Sequence, residues 1–261
     1  MRKRLMLILA FGTAIAVAAA AIAVASNSFK TTVRLGNLEL TFSGKVTPKA
    51  LSKTKLSPIT LTVSGKIGTI DGTHPPALKE IVDEIDKNGT VNAKGLAVCK
   101  SGQLQAQDTK HAEAICKNAI VGTGSTNVEI AFPEQTPIQV PSKLLAFNGG
   151  VKGGVTTIFI HAYISVPTPA AIVTTVKIQK EHKGRYGQHT VASIPLIAGG
   201  SGSATSFSLT FHRLFTYKGK KQSYFLAKCP DGHFNATAEA IFYNSTDKLN
   251  GSIVVPCQSK G

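Results

Sequence analysis

The chain of 261 residues has no tryptophan, five tyrosines and only 14 acidic residues. A sugar-stacking platform needs large aromatic rings, so this composition disfavours one, although Phe159, Tyr163, Tyr217 and Tyr224 could serve. Glycoside hydrolysis needs a pair of suitably placed carboxyl groups. With so few acids, no such pair stands out in the sequence.

Motifs for nucleophiles, metals and phosphates are also missing. The chain has no His-Glu-x-x-His, and residues 199–203 read Gly-Gly-Ser-Gly-Ser, the wrong order for the Gly-x-Ser-x-Gly turn of a serine hydrolase. No Gly-Lys-Ser/Thr follows that stretch, so it is not a phosphate loop. Residues 86–90 lack the acids of a calcium loop. We therefore expect no catalytic residue, no cofactor and no metal site.

The first residues carry the pattern of an export signal. Residues 2–4 are basic, residues 5–25 are apolar, and the Ala-Val-Ala that ends at Ala25 suits signal peptidase. We predict a signal peptide over residues 1–25 and an exported domain over residues 26–261. The apolar run is also long enough to span a bilayer as an uncleaved N-terminal membrane anchor, and that alternative stays open. Both alternatives place the domain outside the cytoplasm, secreted or at the cell surface.

The four cysteines are Cys99, Cys116, Cys229 and Cys257. An even number in an exported chain predicts two disulfides, and the most local pairing joins Cys99 to Cys116 and Cys229 to Cys257. The first two are too far apart for a Cys-x-x-Cys redox site, and neither pair has the short spacing of a structural zinc site. We expect the stretch between them to be a stapled loop with a short helix capped by Asp108.

The chain is strongly basic, with 29 Lys and Arg against 14 Asp and Glu and a formal net charge of +15. An exported protein of this charge is attracted to anionic polymers. The lysines are scattered, except in residues 217–221, which read as a turn, and scattered charge is typical of a solubilising surface. An anionic envelope polymer or polysaccharide is the partner class that the charge suggests, and no specific nucleic-acid motif is present.

Short alternating runs rich in threonine, valine, isoleucine and phenylalanine predict a mainly β protein. In residues 156–166 aliphatic side chains share one face, while Phe159, His161 and Tyr163 share the other. The second face predicts a strand that is covered on both sides, or an aromatic surface that could line a pocket. We expect a two-layer antiparallel β-sandwich-like domain with one or two short helices.

Two segments allow two interpretations each. The glycine-rich residues 148–154 fit either a linker between two sub-domains or a hairpin turn. In residues 78–87 the apolar side chains are spaced as on a helix, yet Ile81, Asp83 and Ile85 also alternate as on a strand. The local pattern slightly favours a short helix.

The order of short motifs along the chain carries a resemblance. IDGTHPPALKEI is followed by DKNGTVNAKGLAVC, QLQA and a second cysteine, KLLAFNG, VPTP, FSLTF and FTYKGKKQSYFLAKCP. With this series the chain resembles, from about Val46 to Cys257, a family of uncharacterised exported β-rich proteins from actinobacteria. The resemblance implies no activity that can be transferred, and it implies a strand over residues 78–87.

The leading hypothesis is a non-catalytic exported β-sandwich protein with a structural or binding role at the cell envelope. One alternative is an extracellular hydrolase or carbohydrate-active enzyme whose residues are dispersed over loops. Another is a polyanion-binding protein. A cleft that contains two carboxylates, or a histidine with an acid partner, would favour the enzyme.

Overall fold

The computed structural model describes residues 28–246 and 248–260, so the predicted leader lies outside the described residues. This part of the chain is mainly β, and none of its helices is long and apolar enough to cross a membrane. The strands are β1 (Ser28–Leu35), β2 (Leu38–Thr47), β3 (Ala50–Ser52), β4 (Ser57–Pro58), β5 (Thr60–Thr69), β6 (Leu78–Asp86), β7 (Gly89–Val91), β8 (Ile120–Ile130), β9 (Ile138–Lys152), β10 (Val155–Ile164), β11 (Ala170–Lys183), β12 (Tyr186–Ser193), β13 (Gly202–Phe211), β14 (Leu214–Tyr217), β15 (Lys220–Ser223), β16 (Phe225–Ala227), β17 (His233–Phe242), β18 (Lys248–Pro256) and β19 (Gln258–Lys260).

Twelve strands form one antiparallel sheet in the order β1-β2-β5-β13-β8-β9-β10-β11-β12-β6-β17-β18. The sheet curls until its two edges meet. Thr31 Oγ1 on β1 donates to the carbonyl of Ser252 on β18 at 3.5 Å, and Gly251 packs beside Val33. The result is nearly barrel-shaped and stands in place of the expected two-layer sandwich. The other described sheets have only two or three strands, so none is large enough to be a second layer.

Strand β6 occupies the segment for which the sequence allowed a helix. It lies between β12 and β17, with Ile81 opposite Ala192 on one side and Ala240 on the other. Backbone hydrogen bonds to a strand on each side stabilise this segment as a strand, although its apolar residues are spaced as on a helix. Tertiary pairing of this kind overrides a weak local preference. Residues 148–154 form the hairpin between β9 and β10 within the same sheet.

Residues 92–119 cover the outer face of β9 and β10. Helix α1 (Thr109–Ile115) lies in this cover and begins after Asp108, whose side chain accepts a hydrogen bond from the backbone N–H of His111 at 2.8 Å. The predicted cap is therefore confirmed. Leu145 and Phe147 of β9 are fully buried beneath the cover, so this part of the sheet is covered on both faces.

Both predicted disulfides are present. Cys99–Cys116 pins the cover at its two ends, and Cys229–Cys257 joins the segment after β16 to the end of β18. Closing loops of these lengths stabilises the fold by about 3 kcal/mol each in the chain-entropy model. Two disulfides indicate an oxidising compartment outside the cytoplasm.

The inward faces of the large sheet form two apolar clusters. One includes Leu40 and Leu249, and the other includes Ile130 and Ile158. Phe225 on β16 packs against both clusters. Side chains from both clusters therefore line the interior of the large sheet.

A buried carboxylate ties together three parts of the sheet. Asp86, at the end of β6, is only 1% exposed. It accepts hydrogen bonds from the backbone N–H groups of Asn88 and Asn235, each at 2.9 Å, and from Nε of Arg185 at 2.6 Å. Arg185 also pairs with Asp231. These bonds fix the end of β6 against β17 and against the turn before β12.

Arg185→Gln is expected to lower the free energy of unfolding by about 3 kcal/mol, because it leaves the carboxylate of Asp86 buried without its charge partner. Urea denaturation measures the loss. Arg34→Gln is the control, since Arg34 pairs with Glu39 on the surface, where the two side chains are 66% and 36% exposed. That change should cost less than about 1 kcal/mol. Equal losses of unfolding free energy in the two variants would contradict the role of Arg185 as the charge partner of Asp86.

Candidate functional site

The large sheet encloses an apolar cavity of about 360 Å³. Small-molecule sites are concave, mostly apolar and roughly 300–1,000 Å³ in volume, so the size and lining fit such a site. Side chains from many strands share the wall, among them Phe42, Leu61, Ile81, Ile160, Val176 and Phe207. The cavity is therefore a property of the whole sheet.

Alternation along each strand builds this wall. On β6 the inward side chains include Ile81, Asp83 and Ile85, and all three are half-buried and line the cavity. Aromatic rings reach the wall where the opposite strand has glycine. Phe207 lies across from Gly65 at a position where a Cβ would collide with its ring. Such a pairing lets a large ring lie flat against the sheet.

Two polar side chains face each other in the apolar wall. Asp83 on β6 is paired in register with Thr190 on β12, and both line the cavity. Among the described residues, Asp83 has no hydrogen-bond or ion-pair partner, and Thr190 Oγ1 is buried without one. Asp83 is half-buried, and it lines the cavity. Burial, together with the nearby charge of Glu84, raises the pKa of Asp83 to about 7, although His189 acts in the opposite direction.

A basic cleft of about 620 Å³ adjoins the cavity on the surface. Its wall includes Lys87, Lys180 and Lys228. The cleft and the cavity share Gly89 and Gln188 as lining residues, and Nε2 of Gln188 donates to the carbonyl of Gly89 at 2.6 Å. This hydrogen bond lies in the wall that separates the cleft from the interior.

Three ligand-type side chains converge on the outer face near the cleft. The candidate donor atoms of Glu84, Glu181 and His189 lie within 4.8 Å of one another. Burial works to raise the pKa of Glu84, but hydrogen bonds to Glu181 and His189 outweigh it and lower that pKa, while the bond to Glu84 raises the pKa of Glu181. The same atoms could hold a divalent cation, a set that the sequence analysis missed because its members come from three strands.

A second cluster has the distances of a hydrolase triad. Ser203 Oγ lies 3.2 Å from His74 Nε2, and His74 Nδ1 lies 2.7 Å from Glu129 Oε1. Ser203 is only 1% exposed, however, and its hydroxyl donates to the carbonyl of Pro75 at 2.6 Å. A catalytic serine must direct that proton to the histidine and be open to substrate. The cluster therefore fixes residues 74 and 75 against β8 and β13.

The aromatic face predicted on β10 lies beneath the cover. His161 is fully buried, and Nε2 donates to the carbonyl of Gln107 at 2.9 Å. Burial lowers the pKa of His161. Phe159 and Tyr163 are half-buried on the same outer face, away from the cavity. The four cysteines, also singled out from the sequence, serve as the two staples and lie outside the cavity wall.

Asp83→Asn is expected to raise the free energy of unfolding at about pH 8. The folded-state pKa of Asp83 lies above its ordinary value of 3.8, so the folded protein loses stability as the pH rises from about 4 to about 7. Above that range the ionised carboxyl costs roughly 4 kcal/mol, which asparagine avoids. Urea denaturation at about pH 8 and about pH 5 measures the gain. A gain in unfolding free energy that is as large at about pH 5 as at about pH 8 would contradict a raised pKa of Asp83 in the folded protein.

Ser203→Ala is expected to lower the free energy of unfolding by about 1–3 kcal/mol, because it removes the partner of the Pro75 carbonyl and of His74. The unchanged protein should also resist labelling by a fluorophosphonate, as judged by mass spectrometry of the peptide that contains Ser203. Rapid labelling at Ser203 would overturn the structural interpretation and favour a hydrolase.

No protein-family model, curated protein or solved structure matches this chain. The functional assignment therefore depends on the cavity and on the groups around it.

Proposed function

We propose that the protein is a non-catalytic exported binding protein that holds a small apolar or amphiphilic molecule inside its sheet. The cavity is the observation that carries this proposal. An apolar space of about 360 Å³ that nothing fills forfeits packing contacts on the order of several kcal/mol, and a bound ligand restores them. A sequence that keeps such a space gives up stability, which is typical of a binding site.

The place of action that we propose is the cell envelope or the medium outside it. The leader pattern, the two disulfides and the resemblance to exported β-rich proteins of actinobacteria support this location. A carrier or binding protein for apolar molecules has a role there, because such molecules cross water poorly.

A polyanion-binding role is the second candidate, and the cleft is the observation that favours it. Lys87, Lys180 and Lys228 gather there around a concave surface. Glu181 lines the same cleft and offsets part of their charge. The apolar cavity, which this role would leave unused, is the reason to prefer the first proposal.

Ala192→Phe is expected to reduce the affinity for the uncharged dye Nile red at least about tenfold, because Ala192 lines the cavity and a phenyl ring would occupy it. Fluorescence titration measures the affinity. Ser193→Phe is the matched control, since the next residue is exposed on the outer face and should leave binding unchanged. Circular dichroism confirms that both variants fold.

Failure of the unchanged protein to bind the dye would contradict the proposed function. So would equal binding by the protein and its Ala192→Phe variant.

A further inference from the structure

The wall of the apolar cavity contains a facing pair of polar side chains that a bound molecule could contact. Asp83 and Thr190 are directly opposite each other on paired antiparallel strands, so their Cβ atoms are about 5 Å apart. Neither side chain has a partner among the described residues. Buried polar groups without partners cost about 1–3 kcal/mol each, and native proteins rarely keep two of them side by side. A ligand group between them would satisfy both.

The charge of the lining excludes some ligand groups. Within the described part of the chain, no lysine, arginine or histidine lines the cavity, whereas two carboxyls, Asp83 and Asp86, do. A carboxylate or phosphate in this space would have no cation beside it and would face like charge. An ammonium group would have to be desolvated together with Asp83, and the attraction in a buried pair seldom repays that cost.

We infer that Asp83 and Thr190 form a polar subsite that selects an uncharged hydroxyl or carbonyl group on an otherwise apolar molecule. This assignment rests on the proposed function, because it needs a ligand inside the sheet. The carboxyl of Asp83 and the hydroxyl of Thr190 both hydrogen-bond to the ligand group that lies between them. Aliphatic and aromatic side chains such as Ile81, Ile160 and Phe207 contact the rest of the molecule.

The other ionisable groups around this carboxyl lie outside the cavity or are already paired. Glu84 on β6, His189 on β12 and Glu239 on β17 project from the outer face of the sheet. Each of them is adjacent in sequence to a residue that lines the cavity, and successive side chains of a strand point to opposite faces. Within the cavity wall, Asp86 is held by Arg185. None of them can take the place of the unpaired carboxyl beside the ligand.

The test compares molecules of equal chain length as competitors of Nile red. Decanol should compete about tenfold better than decane, decanoate or decylamine, the value of one well-made buried hydrogen bond. Equal competition by decanol and decane would overturn the subsite.

Two variants of Asp83 separate the hydrogen bond from the charge. Asp83→Asn keeps hydrogen-bonding capacity without the charge, so decanol should retain its advantage over decane. Asp83→Leu should bind Nile red and lose the preference for decanol over decane. Glu80→Gln removes a carboxyl from the outer face of the same strand and should behave as the unchanged protein.

The outcomes distinguish this inference from the proposed function. If none of the apolar competitors displaces the dye, both the proposed function and the subsite are wrong. If decane and decanol bind equally in every variant, the cavity binds ligands and the subsite alone is wrong. If decanoate competes best, its head group lies outside at the lysines of the cleft, and the assignment to Asp83 and Thr190 is wrong.

Discussion

Closure of a twelve-stranded sheet sets the size of the space inside it. The diameter of such a sheet grows with the number of strands, and about eight strands already give an interior that side chains fill. With twelve, the inward side chains gather into two clusters, and Phe225 contacts both. The cavity between them follows from strand number and needs no unusual residue. Its polarity, in contrast, depends on single positions, because one unpaired carboxyl in an apolar wall changes which molecules fit.

Much of the fold could be predicted from the sequence, since it depends on local patterns. Alternation identified the strands, and an even cysteine count with local spacing identified both disulfides. Two features depended on distant contacts: the closed sheet was expected to be a sandwich, and residues 78–87 were left open between helix and strand. Alternation is the same in a sandwich and in a closed sheet, and what separates them is the meeting of β1 and β18 across the length of the chain. Strand β6 was obscured because its apolar spacing fits a helix until two neighbours supply its hydrogen bonds.

The candidate site was harder to predict for the same reason. Asp83 sits in the segment that the sequence slightly favoured as a helix, and its inward direction is fixed only by the pairing of β6 with β12. No sequence pattern distinguishes Thr190 from the other threonines, and only the register of β12 against β6 places it opposite Asp83. Ser203, His74 and Glu129 come from three distant segments and carry no joint motif. His161 looked like a pocket residue because the cover above it comes from another part of the chain.

The line between β1 and β18 differs from every other junction of the described large sheet. The two strands are the ends of the ladder order, and they meet through packing and the bond from Thr31 rather than through paired backbones. Lys30 and Arg34 are exposed on this edge of β1, and charged side chains there discourage pairing with another chain. Separating the edges breaks no ladder, so the sheet widens here at the lowest free-energy cost. The circumference of the sheet is therefore set along this one line by side-chain packing, and along every other line by backbone pairing.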